Sequence, residues 1–191
     1  MSLGMIRKVL GCAFIVSAST AQLAYAEAPT HKPAIADTCV ACHGQSGVAA
    51  NPIWPNLAAQ KQIYLAMQLH AYCSGERENS VMASIAKTLT DENIDELSRY
   101  YASLQRIPTV QSAEVNELGK NVRARCMSCH GRNGETVNGE WPNLAGQNAA
   151  YLRDQLLKYQ SGIRKNGVMQ VIAAELSADE ITAVAEYYSQ Q

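Results

Sequence analysis

The sequence predicts an all-α protein made of two tandem copies of one small helical domain. Three observations lead there. Residues 39–104 align with 126–191 at a constant shift of 87, without a gap and with 29 identities in the 66 positions. Apolar residues in each copy recur at helical spacing, and no strand-helix-strand pattern appears. Each copy also opens on the same motif, Cys39-Val-Ala-Cys42-His43 and Cys126-Met-Ser-Cys129-His130, with a methionine 39 residues after each histidine, Met82 and Met169.

The first 26 residues read as a secretory signal. Arg7 and Lys8 precede a mostly apolar stretch from Val9 to Leu23, and Ala24-Tyr25-Ala26 fits small-X-small cleavage after Ala26. Cys12 lies too early, behind almost no apolar run, to be a lipoprotein cysteine. No later stretch approaches the roughly 20 apolar residues of a membrane helix. The mature chain then divides into domain 1 (27–106), a linker at 107–113 containing Pro108, and domain 2 (114–191).

Ahead of the second motif, Val115, Leu118 and Val122 recur at helical spacing. The first copy offers only Lys32 to Asp37 there, with Pro33 near the helix start. A loop rich in Gly, Asn and Pro follows each motif. Leu65, Leu69 and Tyr72, repeated as Leu152, Leu156 and Tyr159, then mark an apolar helical stripe that Gly75 and Gly162 stop. A last helix begins at Thr90 or Ser177. Ser177-Ala-Asp-Glu180 fits a capping box, whereas Asn93 makes Thr90 a poorer match. Ile94, Leu97, Tyr101 and Leu104 form its expected buried face.

Cys-X-X-Cys-His is the attachment sequence for c-type haem. Cys39, Cys42, Cys126 and Cys129 would form thioethers to the vinyl groups. His43 and His130 would be the proximal iron ligands and Met82 and Met169 the distal ones, the set used in electron-transfer cytochromes. A thioredoxin-like pair or half a zinc site does not require the adjacent histidine. A lone helical methionine is usually core filler. Met82 and Met169, however, pair across the repeat inside matched Asn-X-Val-Met-X-X-Ile-Ala segments, while Met67 and Met127 have no counterpart. With both axial positions supplied twice, the iron has no open site, which suits an electron carrier rather than an enzyme. Each copy holds only about 80 residues, a size at which a hydrophobic core alone is marginal. Two covalently bound haem c groups would complete it, and the haem-free chain is expected to be largely unfolded.

The remaining features are weaker. Removing residues 1–26 leaves 14 Lys+Arg against 17 Asp+Glu, a mildly acidic balance that argues against nucleic acid. Cys73 is replaced by Gln160 in the second copy and reads as a buried, inert small hydrophobe, with a disulfide-linked dimer or a redox-active thiol as the minor alternatives. Trp54 and Trp141 line the haem edge or pack in the core. Arg77 and Arg164 balance propionate charge or sit in solvent. Asp91, Glu92, Asp95 and Glu96 read as an exposed first turn favoured by the helix dipole, with a docking patch as the alternative. His31 and His70 lack counterparts and read as ordinary histidines. The loops Gln45-Ser46-Gly47-Val48 and Arg132-Asn133-Gly134-Glu135 differ, so the two potentials should differ, in an order the sequence does not give.

From about residue 33 onward the chain resembles the di-haem cytochrome c4 family. The resemblance rests on Cys39-X-X-Cys42-His43-Gly44, Pro55-Asn56-Leu57-Ala58 with Gln60, Tyr64-Leu65-X-X-Gln68-Leu69, Gly75-X-Arg77 and Met82-X-X-Ile85-Ala86, all repeated from Cys126 to Ala173. Ala145-Gly146-Gln147 is closer to the family's usual Ala-Gly-Gln than Ala58-Ala59-Gln60. The resemblance implies two class I cytochrome c domains related by pseudo-twofold symmetry, with haem propionates facing each other across the interface. It also implies that Pro55 and Pro142 offer carbonyls to the proximal histidines. The expected setting is the periplasm. The expected donor is a quinol-oxidising complex or a dehydrogenase, and the expected acceptor a terminal oxidase or copper protein. Peripheral membrane association stays open, as does a dedicated role as a dehydrogenase's acceptor subunit.

Overall fold

The computed structural model describes residue 1, residues 31–106 and residues 116–191. The signal segment, its cleavage after Ala26, the linker at 107–113 and Val115 lie outside the described residues. Among the described residues every regular element is helical. A 3-10 turn, Ala34–Ala36, runs into α1 (Asp37–His43), followed by α2 (Gln62–Ser74), α3 (Ser80–Ala86) and α4 (Asp91–Ser103). The second half runs α5 (Glu117–Val122), a 3-10 turn (Arg123–Arg125), α6 (Met127–His130), α7 (Ala149–Gln160), α8 (Gly167–Ala174) and α9 (Ala178–Ser189).

The same packing is built twice. In the first half α2 lies against α3 and α4; in the second α7 lies against α8 and α9. Ile94, Leu97 and Tyr101 are buried on α4, with Ile181, Val184 and Tyr188 in their places on α9. Leu104 is only half-buried at the edge of the first core. Both last helices carry a full capping box. Asn93 accepts from the Thr90 backbone N–H at 3.2 Å as Glu180 does from Ser177 at 2.9 Å. Asn93 therefore serves the box as well as the Glu that its usual pattern specifies.

The N-terminal ends of the halves differ. In the second half α5 packs closely on α9. The residues buried there are Gly119 and Val122, while Leu118 is 45% exposed. The apolar stripe expected through Leu118 is thus displaced by one residue. A Cβ on Gly119 would lie 2.1 Å from the Ala183 carbonyl oxygen. The helices cross so tightly that only glycine fits, and a hydrophobic pattern cannot register a glycine contact. The first half has Lys32 at the matching position, and among the described residues only the 3-10 turn Ala34–Ala36 precedes α1 there.

Cys73 is exposed near the end of α2, which corrects its expected burial. Its neighbours Leu69 and Tyr72 turn toward the interior and Cys73 to the other side, so residue type alone misplaced it. No described helix is long and apolar enough to cross a membrane.

Candidate functional site

A single continuous cavity of about 1230 Å³ runs through both halves. Its wall carries Cys39, Cys42, His43 and Met82 together with Cys126, Cys129, His130 and Met169. The space exceeds the roughly 300–1,000 Å³ of an ordinary single-ligand pocket. The structure thus brings all eight candidate cofactor and iron residues onto one surface.

Local structure explains how each is held. Cys39, Cys42 and His43 sit on one helical segment, α1, which Gly44 ends at φ 77°. A Cβ there would meet the Val48 carbonyl oxygen at 2.1 Å, and Gly131 repeats the arrangement against Glu135 at 2.0 Å. The chain turns sharply after each histidine and brings Pro55 or Pro142 back beneath it. His43 Nδ1 lies 2.9 Å from the Pro55 carbonyl oxygen, and His130 Nδ1 lies 2.9 Å from that of Pro142. A carbonyl can only accept, so Nδ1 carries the proton and Nε2 keeps its lone pair. Burial lowers both imidazole pKa values, against the raising effect of the proline carbonyls. Neutral imidazole with a free Nε2 is the form that binds iron.

Met82 and Met169 occupy matching places in the first turns of α3 and α8. The caps are Asn79 and Asn166, whose side chains accept from the backbone N–H of the methionines themselves at 2.9 and 3.0 Å. The repeated Asn-X-Val-Met segment is therefore a helix start that fixes the methionine backbone at the cavity wall.

Other cavity-wall residues fit a large apolar group as well. Leu65, Leu69 and Tyr72 face the space, as do Leu152, Leu156 and Tyr159. Trp54 and Trp141 both stand on the cavity wall, which agrees with the haem-edge reading. The hydroxyls of Tyr101 and Tyr188 are buried and unpartnered on the same wall. Burial and the adjacent Cys39 and Cys126 thiols raise both phenols above the ordinary tyrosine range.

Between the halves lies a pseudo-twofold interface at whose centre repeat-matched polar residues bond across it. The backbone N–H of Asn56 donates to Gln147 Oε1 and that of Asn143 to Gln60 Oε1, both at 2.7 Å. The Asn56 amide donates to the Gly146 carbonyl at 2.9 Å and the Asn143 amide to that of Ala59 at 2.8 Å. Gln147 and Gln60 return bonds to the Asn56 and Asn143 carbonyls at 2.9 and 3.0 Å. Ala59 adopts a left-handed φ of 58°, where its counterpart Gly146 has 66°. This conformation explains why glycine suits the position.

Arg77 and Arg164 are not solvated, as one of their two readings had it. Each is only 7% exposed at the centre of this interface. Arg77 donates to Gln68 Oε1, Gln155 Oε1 and the Tyr151 hydroxyl at 2.7, 2.6 and 2.9 Å. Arg164 donates to Gln155 Oε1, Gln68 Oε1 and the Tyr64 hydroxyl at 2.7, 2.8 and 2.9 Å. Burial acts to raise the Tyr64 phenol, but the Arg164 and Arg77 charges outweigh it and leave its pKa lowered. Sequence reasoning missed the roles of Asn56, Gln60, Gln68 and their counterparts. The available signal was their identity across the repeat, since a twofold contact presents the same patch from both sides.

Comparison with known proteins agrees with this architecture. The cytochrome c family model matches residues 117–190. A cytochrome c4 from Thiocapsa roseopersicina is 33% identical, the match covering 78% of this chain and 84% of that protein. A thiosulfate dehydrogenase electron acceptor from Stutzerimonas stutzeri is 35% identical, covering 90% and 86%. The solved structure of Acidithiobacillus ferrooxidans cytochrome c4 superimposes with a TM-score of 0.74 at 30% identity, over 82% of this chain and 99% of that one.

Proposed function

The chain belongs to the cytochrome c4 family of di-haem electron-transfer proteins, and from that premise we propose a periplasmic carrier that takes electrons from a dehydrogenase and delivers them to a terminal oxidase or copper protein. A thiosulfate dehydrogenase is the donor class favoured, because a relative 35% identical over most of both chains bears the name of its electron acceptor. A quinol-oxidising complex is the alternative donor. Each haem supplies one-electron ferric–ferrous chemistry when bound.

The chain's own residues do the rest. Cys39 with Cys42, and Cys126 with Cys129, would hold the two groups covalently. His43 and His130, oriented by the carbonyls of Pro55 and Pro142, would offer Nε2 to the iron. Met82 and Met169 would supply the second protein ligand of each iron. Such a ligand set would exclude external ligands and keep the electron available for a protein partner. The observation that carries the reading is the duplicated set itself: histidine on proline carbonyl at 2.9 Å in both halves, with an asparagine-capped methionine on the wall of the same cavity.

The test is the absorption spectrum of the dithionite-reduced holoprotein before and after carbon monoxide. An unchanged spectrum is expected. A rapid carbon monoxide complex at either haem would overturn the closed-site carrier. For the donor, rapid reduction by a thiosulfate dehydrogenase turning over thiosulfate is expected, and no reduction would return the choice to a quinol-oxidising complex.

A further inference from the structure

Arg77 and Arg164 pose a charge problem. Each is only 7% exposed, and a guanidinium does not lose its proton in a protein. Gln68 Oε1 accepts from both, and so does Gln155 Oε1, so the two cations are closed into one ring through two shared oxygens. The tyrosine rings of Tyr72 and Tyr159 cover their faces, with centroids at 4.7 and 4.6 Å. Among the described residues no carboxylate pairs with either one. Two like charges buried together on neutral acceptors are costly unless an anion reaches them.

Both arginines line the cavity that holds the two haem motifs. Each bound haem c would add two propionate carboxylates to the groups at that cavity. The ring is also crossed: Arg77, from the first half, bonds Tyr151 and Gln155 of the second, and Arg164 bonds Tyr64 and Gln68 of the first. Each guanidinium is held by side chains of both halves.

We propose that Arg77 and Arg164, bridged by Gln68 and Gln155, form a single cationic node that pairs with propionates of both haems and sets the two reduction potentials jointly. The proposal rests on the two-haem reading and adds a positioning role for residues outside the iron ligands. A positive charge near a haem favours the ferrous state, which is less positive than the ferric. Removing one guanidinium lowers the nearer potential, and the crossed ring carries part of the effect to the other.

The experiment is a redox titration of the holoprotein, fitted as two one-electron components, for wild type, Arg77→Gln and Gln155→Glu. Arg77→Gln should shift one ferric–ferrous equilibrium about tenfold toward ferric, which is 59 mV for one electron, and the other about threefold in the same direction. Gln155→Glu keeps the side-chain shape and sets a carboxylate between the guanidiniums, so it should lower both components even where Arg77→Gln fails to fold. Arg99→Gln, which removes a half-buried guanidinium outside the cavity that pairs with Asp95, should leave both unchanged. A shift confined to one component, or none in a folded variant, overturns the joint node. Carbon monoxide exposure of the same samples separates the two failures. Haems that stay inert to it while the potentials fail to move leave the carrier reading intact and remove only the node.

Discussion

Replacing Gly119 by alanine tests the tight crossing that frames the second haem site. The added Cβ would meet the Ala183 carbonyl oxygen at 2.1 Å, its carbon at 2.7 Å and Tyr187 Cβ at 2.9 Å. The obstruction is mainly backbone of α9, so no side-chain rotation relieves it. Carbon–carbon contacts settle near about 3.5–4.0 Å, so α5 must move away and loosen the packing of Val122. Overpacking costs roughly 1–3 kcal/mol, and a backbone obstacle places this case near the top of the range. Alanine returns about 1 kcal/mol as the better helix former. The expected net loss is about 2 kcal/mol. In guanidinium unfolding followed by haem absorption and circular dichroism, that lowers the midpoint by about 0.5 M for a slope of about 4 kcal/mol per M. Gly167→Ala is the control, since a Cβ there meets nothing within 4 Å. It should be neutral or stabilising by up to about 1 kcal/mol. A Gly119→Ala protein as stable as wild type would refute the reasoning, because helix propensity alone would then govern the site.

Met169→Ala should open one sixth coordination position, so that the reduced variant binds carbon monoxide at one haem where wild type binds none. Glu78 and Lys165 occupy matched places on the cavity wall, as do Thr38 and Arg125, making the second half's wall the more positive. The second haem should therefore hold the higher potential, and Glu78→Lys should raise the lower component of a redox titration while leaving the upper nearly fixed. The Glu180 carboxyl has a lowered pKa, first through its bond with the Ser177 backbone and then through the Ser177 side chain and Arg125. A depressed carboxylate stabilises above its unfolded pKa of about 4.3 and loses that contribution as pH falls through the folded value. Glu180→Gln should accordingly be less stable than wild type at pH 7, with the gap closing on acidification below about pH 4 in thermal unfolding.

Much of the site was legible because its chemistry is local in the chain. The spacing within Cys39 to His43 is one helical turn, and Pro55 follows after a short loop, so a one-dimensional pattern carries the geometry. The duplication strengthened each assignment, since Met82 and Met169 stood out from Met67 and Met127 only by pairing across the repeat. Where the reading failed, the deciding contact came from elsewhere in the fold. Leu118 looked like a core residue by periodicity, yet the close approach of α9 selected its neighbour Gly119. Cys73 looked buried by residue type, yet its position on α2 turns it outward.

The sequence by itself determined the helical class and the twofold repeat and named the candidate residues for two haems, because covalent attachment and helix capping depend on neighbours a few positions apart. Only the tertiary structure decided what joins the halves. Asn56, Gln60, Gln68 and Arg77 meet partners in the other half, 74 to 96 residues away, and each is polar. Polar residues at a helical surface read as solvated until the matching patch from the other copy removes the water and leaves them to satisfy one another.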